Sequence, residues 1–404
     1  MSAALGILTV GFSSQSHAND VQSQQWYLDS MRAEEMWEVS TGEGVKVAVI
    51  DTGVNPDAPS LKGKVLVDEV PASVSYGATK DYDGHGTSMA ELIVGSGSGG
   101  LKGLAPGARV IPIRADLEDL KEKTEKEKTA SVGEGIRAAA DTDVKIINLS
   151  VGSEFTYNEL EEAVDYAVRK GKLLFGAIGN AGNNVKGNDY PGAYLEVVGI
   201  SAADKTGKVG KFSQQGDFVD LASPGVNVPT WCDENFARYC QGGGTSQATA
   251  IASASAALVW AAHPDWTANQ VLRTLIDTAG RDWKKEEGRS VFFGNGLIRP
   301  RKVLENPNID PGPPDINPIT KRKDGRTSLS DWVDPDPEPS KTESGKPTQD
   351  PAKDANEPKS EPTKPTAAVP DDEGVNVLAI LGGVAGVAVL GAGVFVLLRK
   401  RRNA

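Results

Sequence analysis

Residues 45–53 read VKVAVIDTG, an almost unbroken apolar run that ends in an acidic residue and a glycine. A valine-rich run of this length is typical of a strand buried on both faces of a parallel sheet. The carboxyl ends of such strands meet at the crevice where α/β proteins bind their ligands. The segment therefore predicts an α/β fold with Asp51 at its functional edge. The alternative is an Asp that only caps the following turn.

A second motif surrounds one histidine. Of the three histidines in the chain, His17 lies in a predicted leader and His263 lies in an Ala-Ala-His-Pro helix exit. His85 stands between two glycines in residues 83–87, DGHGT, ahead of residues that can begin a helix. The glycines leave the imidazole approachable, so a functional histidine is favoured over a structural one.

A third motif, residues 242–246, reads GGGTS and leads into small and apolar residues up to Ala262. That run predicts a buried helix with Ser246 in its first turn. Free backbone N–H groups and the positive end of the helix dipole favour a developing oxyanion there. The alternative role for Ser246 is a simple N-cap.

An Asp, a His and a Ser can act together to make a nucleophile. A serine hydroxyl is a poor nucleophile until a base removes its proton, and the base needs a carboxylate to fix its tautomer and stabilise its charged form. A further donor must face the oxyanion opposite the Ser246 N–H. Residues 173–178, LLFGAI, predict another buried strand, and Asn180 follows it. We therefore expect Asn180 to be that donor, although Gly-Asn is also ordinary in turns.

Together these motifs resemble the subtilisin-like peptidase family over roughly residues 40–304. The chain order Asp, His, Ser is also the subtilisin order. The resemblance implies a serine endopeptidase with the triad Asp51, His85 and Ser246. It implies a three-layer α/β fold with a mostly parallel sheet of about seven strands between helices. No cofactor or metal is expected; calcium, common in the wider family, is left open. The first specificity pocket is implied to be lined by Ser150, Val151, Gly152, Ala177, Ile178 and Gly179.

Some positions depart from the family pattern. Ser88 stands where His or a small apolar residue is commoner, Glu91 where Gly is usual, and Ala250 where Pro is expected. A buried Glu91 needs a partner, because an unpaired buried carboxylate is costly. Reduced or narrow activity is therefore left open.

Both ends of the chain carry targeting features. Residues 1–18 contain a short apolar run and end in Ser-His-Ala, which predicts a cleaved signal peptide, although no Lys or Arg precedes the run. The alternative is an apolar N-terminal element of the fold. Residues 374–398 carry no charge over 25 positions. At about 1.5 Å per residue a helix of this length spans a hydrocarbon core of about 30 Å. We therefore expect one C-terminal transmembrane helix.

The remaining segments lie next to these two targeting features or between them. Residues 399–404 begin with RKRR, which the positive-inside rule places in the cytoplasm. Residues 305–373 are rich in proline and charge and predict a disordered linker. Residues 19–39 form an N-terminal extension ahead of the peptidase domain, residues 40–304. The expected location is the cell membrane, with a single span and the catalytic domain outside.

The two cysteines and the net charge exclude other classes. Cys232 and Cys240 are separated by seven residues, a spacing that suits a small disulfide-closed loop better than a four-ligand metal site. The formal net charge of −12 argues against nucleic acid, because phosphate binding requires clustered Lys and Arg.

The layout as a whole resembles the mycosins, membrane-anchored proteases associated with type VII secretion in actinobacteria. The features that carry this are the signal peptide, the lead-in at residues 25–29, QWYLD, and the Pro-rich linker with its terminal helix. The resemblance implies a polypeptide substrate and a type VII secretion membrane complex as partner. The alternative is a structural or docking subunit of that complex with little or no required proteolysis.

Overall fold

The computed structural model describes residues 21–323, apart from residues 116, 118–119, 183–187 and 283–287. The predicted signal peptide, transmembrane helix and basic tail lie outside this part of the chain. Within it, no helix is long and apolar enough to cross a membrane.

A parallel sheet forms the centre of the fold. Its strands are β1 (Lys46–Asp51), β2 (Arg109–Arg114), β3 (Ile146–Leu149), β4 (Leu173–Ala177), β5 (Val198–Ala203) and β6 (Leu221–Pro224). They lie in the order β2-β1-β3-β4-β5-β6, and every neighbouring pair is parallel. The described residues thus contain six strands in this sheet, against about seven expected.

Helices cover both faces of the sheet. In the described residues they are α1 (Trp26–Met31), α2 (Ala33–Trp37), α3 (His85–Val94), α4 (Lys123–Lys126), α5 (Val132–Ala140), α6 (Asn158–Arg169), α7 (Thr245–Ala262), α8 (Ala268–Asp277) and α9 (Pro300–Leu304). Short 3₁₀ turns occupy Pro59–Leu61, Val67–Glu69 and Ala72–Val74.

Strand β1 shows why the predicted run is apolar on both sides. Val47 and Val49 belong to a hydrophobic core shared with α3 and α7, whereas Ala48 and Ile50 belong to a second core shared with α5 and α6. Successive side chains of a strand point to opposite faces, so both faces need apolar residues. The result is the three-layer α/β arrangement, with Asp51 at the carboxyl end of a buried strand.

A hairpin outside the main sheet carries both cysteines. Strands β7 (Val226–Trp231) and β8 (Tyr239–Gly243) pair antiparallel. A disulfide joins Cys232 to Cys240, whose Cα atoms are 5.1 Å apart.

The described part of the N-terminal extension packs onto the domain. Tyr27 is fully buried, and the Trp26 indole N–H lies 3.1 Å from the carbonyl oxygens of Val226 and Asn227. Gln25 exchanges hydrogen bonds with the backbone of Lys102. The extension therefore lies against the hairpin and the loop after α3.

The folded region continues past the predicted boundary at residue 305. Side chains of α8 donate to backbone carbonyls of the following segment: Gln270 to Gly312 at 3.0 Å and Arg273 to Ile316 at 2.7 Å. Arg322 also pairs with Glu196 at 3.2 Å. Residues 305–323 therefore contact the domain, and the linker prediction began too early in the chain. Composition could not show this, because it does not tell which backbone carbonyl accepts a hydrogen bond from which donor.

Candidate active site

The carboxylate and imidazole predicted to work together are in direct contact. The Nδ1 atom of His85 lies 2.7 Å from Oδ1 of Asp51. Asp51 ends β1 and is fully buried, while His85 begins α3 with 29% of its side chain exposed. The backbone N–H of Thr52 donates to the same Asp51 oxygen at 2.8 Å. The strand end thus fixes the carboxylate, and the carboxylate orients the ring.

Glycine allows β1 and α3 to approach this closely. A Cβ at position 86 would collide with the carbonyl oxygen of Gly53 and lie 3.1 Å from Cβ of Asp51. Any larger residue at position 86 would push His85 away from its partner.

Asp81 supports the same junction and was missed by the sequence analysis. Its carboxylate accepts hydrogen bonds from the Thr52 hydroxyl at 2.7 Å and from the backbone N–H groups of Gly84 and Thr87 at 2.8 Å each. It therefore satisfies free donors at the start of α3 and ties them to the end of β1. An Asp shortly before a helix start is a capping signal that could have identified it.

The electrostatics of His85 are set by three acidic residues. Burial lowers the pKa of His85, but the carboxylates of Asp51, Asp83 and Asp81 together outweigh it and raise the pKa to about 9. The imidazolium is therefore strongly stabilised, as a base that must accept a proton during a reaction requires.

Ser246 lies in the same cleft but is hydrogen-bonded elsewhere. Its hydroxyl donates to the carbonyl oxygen of Ser150 at 2.9 Å, and the Ser150 hydroxyl donates to the Ser246 carbonyl at 2.9 Å. Among the described residues no hydrogen bond joins Ser246 to His85. Both side chains line one cleft of about 440 Å³. Catalytic hydrogen bonds often form fully only when substrate is bound, so this arrangement is compatible with Ser246 as the nucleophile.

Asn180 is held beside Ser246 by Thr245. The Asn180 Oδ1 atom accepts from the Thr245 backbone N–H at 2.9 Å, and the Thr245 hydroxyl lies 3.2 Å away. That hydroxyl accepts from the Gly179 N–H at 3.2 Å. Because its oxygen is anchored, the Asn180 amide can direct Nδ2 into the cleft that it lines. The first-turn N–H of Ser246 is the second donor available there.

The residues predicted to form the first specificity pocket are divided between the cleft and the interior. Ser150, Val151 and Gly152 line the cleft, whereas Ala177, Ile178 and Gly179 are buried and do not line it. Aromatic side chains that sequence reasoning did not single out complete the lining, including Tyr190, Tyr157 and Phe155, which is 75% exposed.

Asp189 lies where the two predicted pocket segments meet. A Cβ at position 179 would collide with its Oδ2 atom, and a Cβ at position 152 would lie 3.7 Å from it. The Gln214 amide donates to the same oxygen at 3.4 Å. A carboxylate thus sits beside both walls of the pocket.

Glu91, predicted to need a partner, has two. It is fully buried in α3 and accepts hydrogen bonds from the Ser60 hydroxyl and, at 3.0 Å, from the Tyr239 hydroxyl. Burial raises the pKa of Glu91 to about 8, although the hydrogen bonds from Ser60 and Tyr239 oppose the rise.

No group of three or more metal-ligating side chains occurs in the part of the chain that the structure describes.

Known proteins share this fold and motif set. The subtilase family model matches residues 42–296. Thermitase of Thermoactinomyces vulgaris is 30% identical over 292 residues, covering 70% of this chain and 96% of thermitase. Minor extracellular protease Epr of Bacillus subtilis is 33% identical over 293 residues, covering 68% of this chain. The match spans only 41% of Epr.

Solved structures give the same assignment. MycP1 from Mycobacterium smegmatis superimposes with a TM-score of 0.57 and 26% identity, covering 72% of this chain and 86% of MycP1. The MycP3 protease from the type VII (ESX-3) secretion system gives a TM-score of 0.55 and 28% identity, covering 69% of this chain and 87% of MycP3.

The fold and the site together define a serine endopeptidase of the subtilisin type. Because the family model covers more than half of its residues, the chain belongs to the subtilase family. Its solved structural neighbours include mycosins, and its sequence relatives include subtilisins, as the sequence suggested.

The raised pKa of His85 predicts how activity depends on pH. The imidazole accepts a proton only when it is neutral, so kcat/KM should rise with pH up to about 9. In Asp83→Asn the imidazolium loses one stabilising carboxylate, so the acid limb of the profile, where kcat/KM rises with pH, should move to lower pH. Asp265→Asn, which removes an exposed carboxylate, should leave the acid limb in place. Steady-state kinetics with one peptide substrate between pH 6 and pH 10 measures the acid limb of each variant. An unchanged limb in Asp83→Asn contradicts this electrostatic account.

Proposed function

We propose that this chain is a membrane-anchored, extracytoplasmic serine endopeptidase that cleaves secreted polypeptides through an acyl-enzyme at Ser246. The observation that carries the proposal is the 2.7 Å contact between His85 and Asp51 in the cleft that Ser246 and Asn180 also line. Removal of a serine proton requires a base that is already oriented, and this contact orients it.

The first half of the reaction forms the acyl-enzyme. The Ser246 hydroxyl turns from the Ser150 carbonyl towards His85, gives its proton to the imidazole and attacks the peptide carbonyl carbon. The carbonyl oxygen becomes negative and is held by the Ser246 N–H and Asn180 Nδ2. Asp51 stabilises the imidazolium, which then protonates the leaving amine. Water deacylates Ser246 by the same proton path in reverse.

The cleft favours a particular kind of peptide. Aromatic side chains on its open side, such as Phe155 and Tyr157, suit an extended and partly apolar segment. The carboxylate of Asp189 beside the two pocket walls favours a basic side chain on the residue before the scissile bond. A hydrogen bond to a charged group contributes about 1.5–3 kcal/mol, which corresponds to tenfold or more in rate.

The proposed membrane location and secretion partner are supported by the sequence and by the structural neighbours. Residues 1–18 and 374–398 have the character of a leader and a membrane span, and MycP1 and MycP3 are described as proteases of type VII secretion systems. Association with such a secretion complex follows as part of the proposal. A docking subunit that needs no proteolysis is the competing function.

Cleavage preference tests the proposed role of Asp189. The full chain should cleave peptides with Lys or Arg before the scissile bond at least about tenfold faster than matched peptides with Glu. Asp189→Asn should reduce this discrimination, while Asp265→Asn should preserve it. Measured kcat/KM values for paired peptides decide the point. Equal discrimination in Asp189→Asn and the native chain would assign the preference to other groups.

Fractionation tests the anchor and the activity together. The full chain should sediment with membranes and cleave an unfolded protein internally, and a chain ended after Lys323 should be released in soluble, active form. Ser246→Ala should bind membranes equally and lose cleavage by several orders of magnitude. Normal secretion in a strain that carries only Ser246→Ala would favour the docking function instead.

A further inference from the structure

The disulfide hairpin lies against the helix that begins with His85. The backbone of Asp233, which follows Cys232, packs on Gly84, where a Cβ would lie 2.8 Å from the Asp233 carbonyl oxygen. Gly84 immediately precedes His85 and has a φ of 90°, a conformation that favours glycine. The hairpin therefore touches the chain at the residue next to the proposed base.

Ser88 connects the hairpin to the first turn of α3. Its hydroxyl donates to the Gly84 carbonyl at 2.7 Å and accepts from the backbone N–H of Trp231 at 3.0 Å. One buried hydroxyl thus joins the last residue of β7 to the residue before His85. Ser88 is one of the positions where this chain departs from the subtilisin pattern.

A second contact lies one turn further along the same helix face. Residues three apart on a helix share a face, and Glu91 follows Ser88 at that spacing. The Tyr239 hydroxyl lies 3.0 and 3.1 Å from the two carboxyl oxygens of Glu91. Both strands of the hairpin therefore contribute one contact to α3.

The disulfide ties the two strands at these contacts. Trp231 and Tyr239 are paired across the hairpin, and their rings stack with centroids 3.8 Å apart. Each immediately precedes one of the two bonded cysteines, Cys232 and Cys240. A bond at this point restrains both residues that hold the helix.

We propose that the hairpin is a disulfide-locked support that positions His85 through Ser88, so that full activity requires the Cys232–Cys240 bond. This inference rests on the proposed peptidase function. Ser88 does not touch substrate and acts through the helix, so it is a positioning residue. Small displacements matter, because a misplacement of about 1 Å can cost about 10²-fold in rate.

The lock links activity to the compartment. The two thiols form the bond by thiol–disulfide exchange with a disulfide oxidant, which takes up the two electrons and two protons that the thiols lose. Such bonds persist outside the cytoplasm and are rare within it. A chain with reduced thiols, before export, would therefore be a weak peptidase.

Four full-length chains in detergent test the support: native, Ser88→Ala, the double variant Cys232→Ser with Cys240→Ser, and the triple combination. Ser88→Ala and the double variant should each lower kcat about tenfold with KM within about twofold, below the 10²-fold of a full 1 Å displacement. The triple variant should lose little more than either, because the proposal has both changes act on His85 through the Ser88 contact. Ser255→Ala removes a similar buried hydroxyl bond, to the Ile251 carbonyl at 2.8 Å, and should keep native kcat.

Mild reduction of the native chain provides a second measurement if a variant folds poorly. A dithiol reductant should lower kcat reversibly and leave the double variant unchanged. A reduced or disulfide-free chain that is folded and keeps native kcat overturns the proposal, as do additive losses in the triple variant. An oxidised native chain that cleaves no peptide overturns the proposed peptidase function, and this inference falls with it.

Discussion

The hydrogen bond between Asp51 and His85 is the constraint on which the site depends. It joins the carboxyl end of the buried strand β1 to the first residue of the helix α3, so the two elements must approach closely. Gly86 allows that approach, and Asp81 connects the end of β1 to the start of α3. The other oxygen of Asp51, Oδ2, is buried without a hydrogen-bond partner in the described residues. Such a group is costly for folding and is typical of a catalytic site.

The second half of the site depends on Thr245 rather than on a residue with a chemical role. The backbone N–H of Thr245 donates a hydrogen bond to the Asn180 side-chain oxygen, and the Thr245 hydroxyl lies close to the same oxygen. Thr245 also directly precedes Ser246. The proposed oxyanion donor and nucleophile are therefore fixed by one residue. Because α7 is buried along most of its length, this geometry is carried by the core of the domain.

Much of the fold and the site could be predicted because the decisive signals are local. The run before Asp51, the glycines around His85 and the glycines before Ser246 each combine a special backbone with a reactive group. The same logic failed where partners are distant in sequence. Nothing near Ser246 predicts that its hydroxyl bonds to Ser150, and nothing near Glu91 indicates Tyr239. The pairing of residues 305–323 with α8 likewise depends on carbonyl groups, which every residue has.

The hairpin shows how a peripheral element can control the centre of the fold. Its two strands reach α3 through a backbone N–H and a phenol, and neither contact has a sequence signature. The cysteine spacing predicted only a closed loop. Its position next to His85 gives that loop a connection to the chemistry, whereas the described N-terminal extension packs away from the residues that line the cleft.

Labelling of the full chain with a fluorophosphonate, followed by peptide mapping, tests whether His85 and Asp51 activate Ser246. A serine reacts with this probe only when a neighbouring base activates its hydroxyl. We expect one adduct, on Ser246, that is lost in His85→Ala and in Ser246→Ala. A folded native chain that forms no adduct, or that carries it on another residue, would contradict the assignment of Asp51, His85 and Ser246 as a catalytic triad.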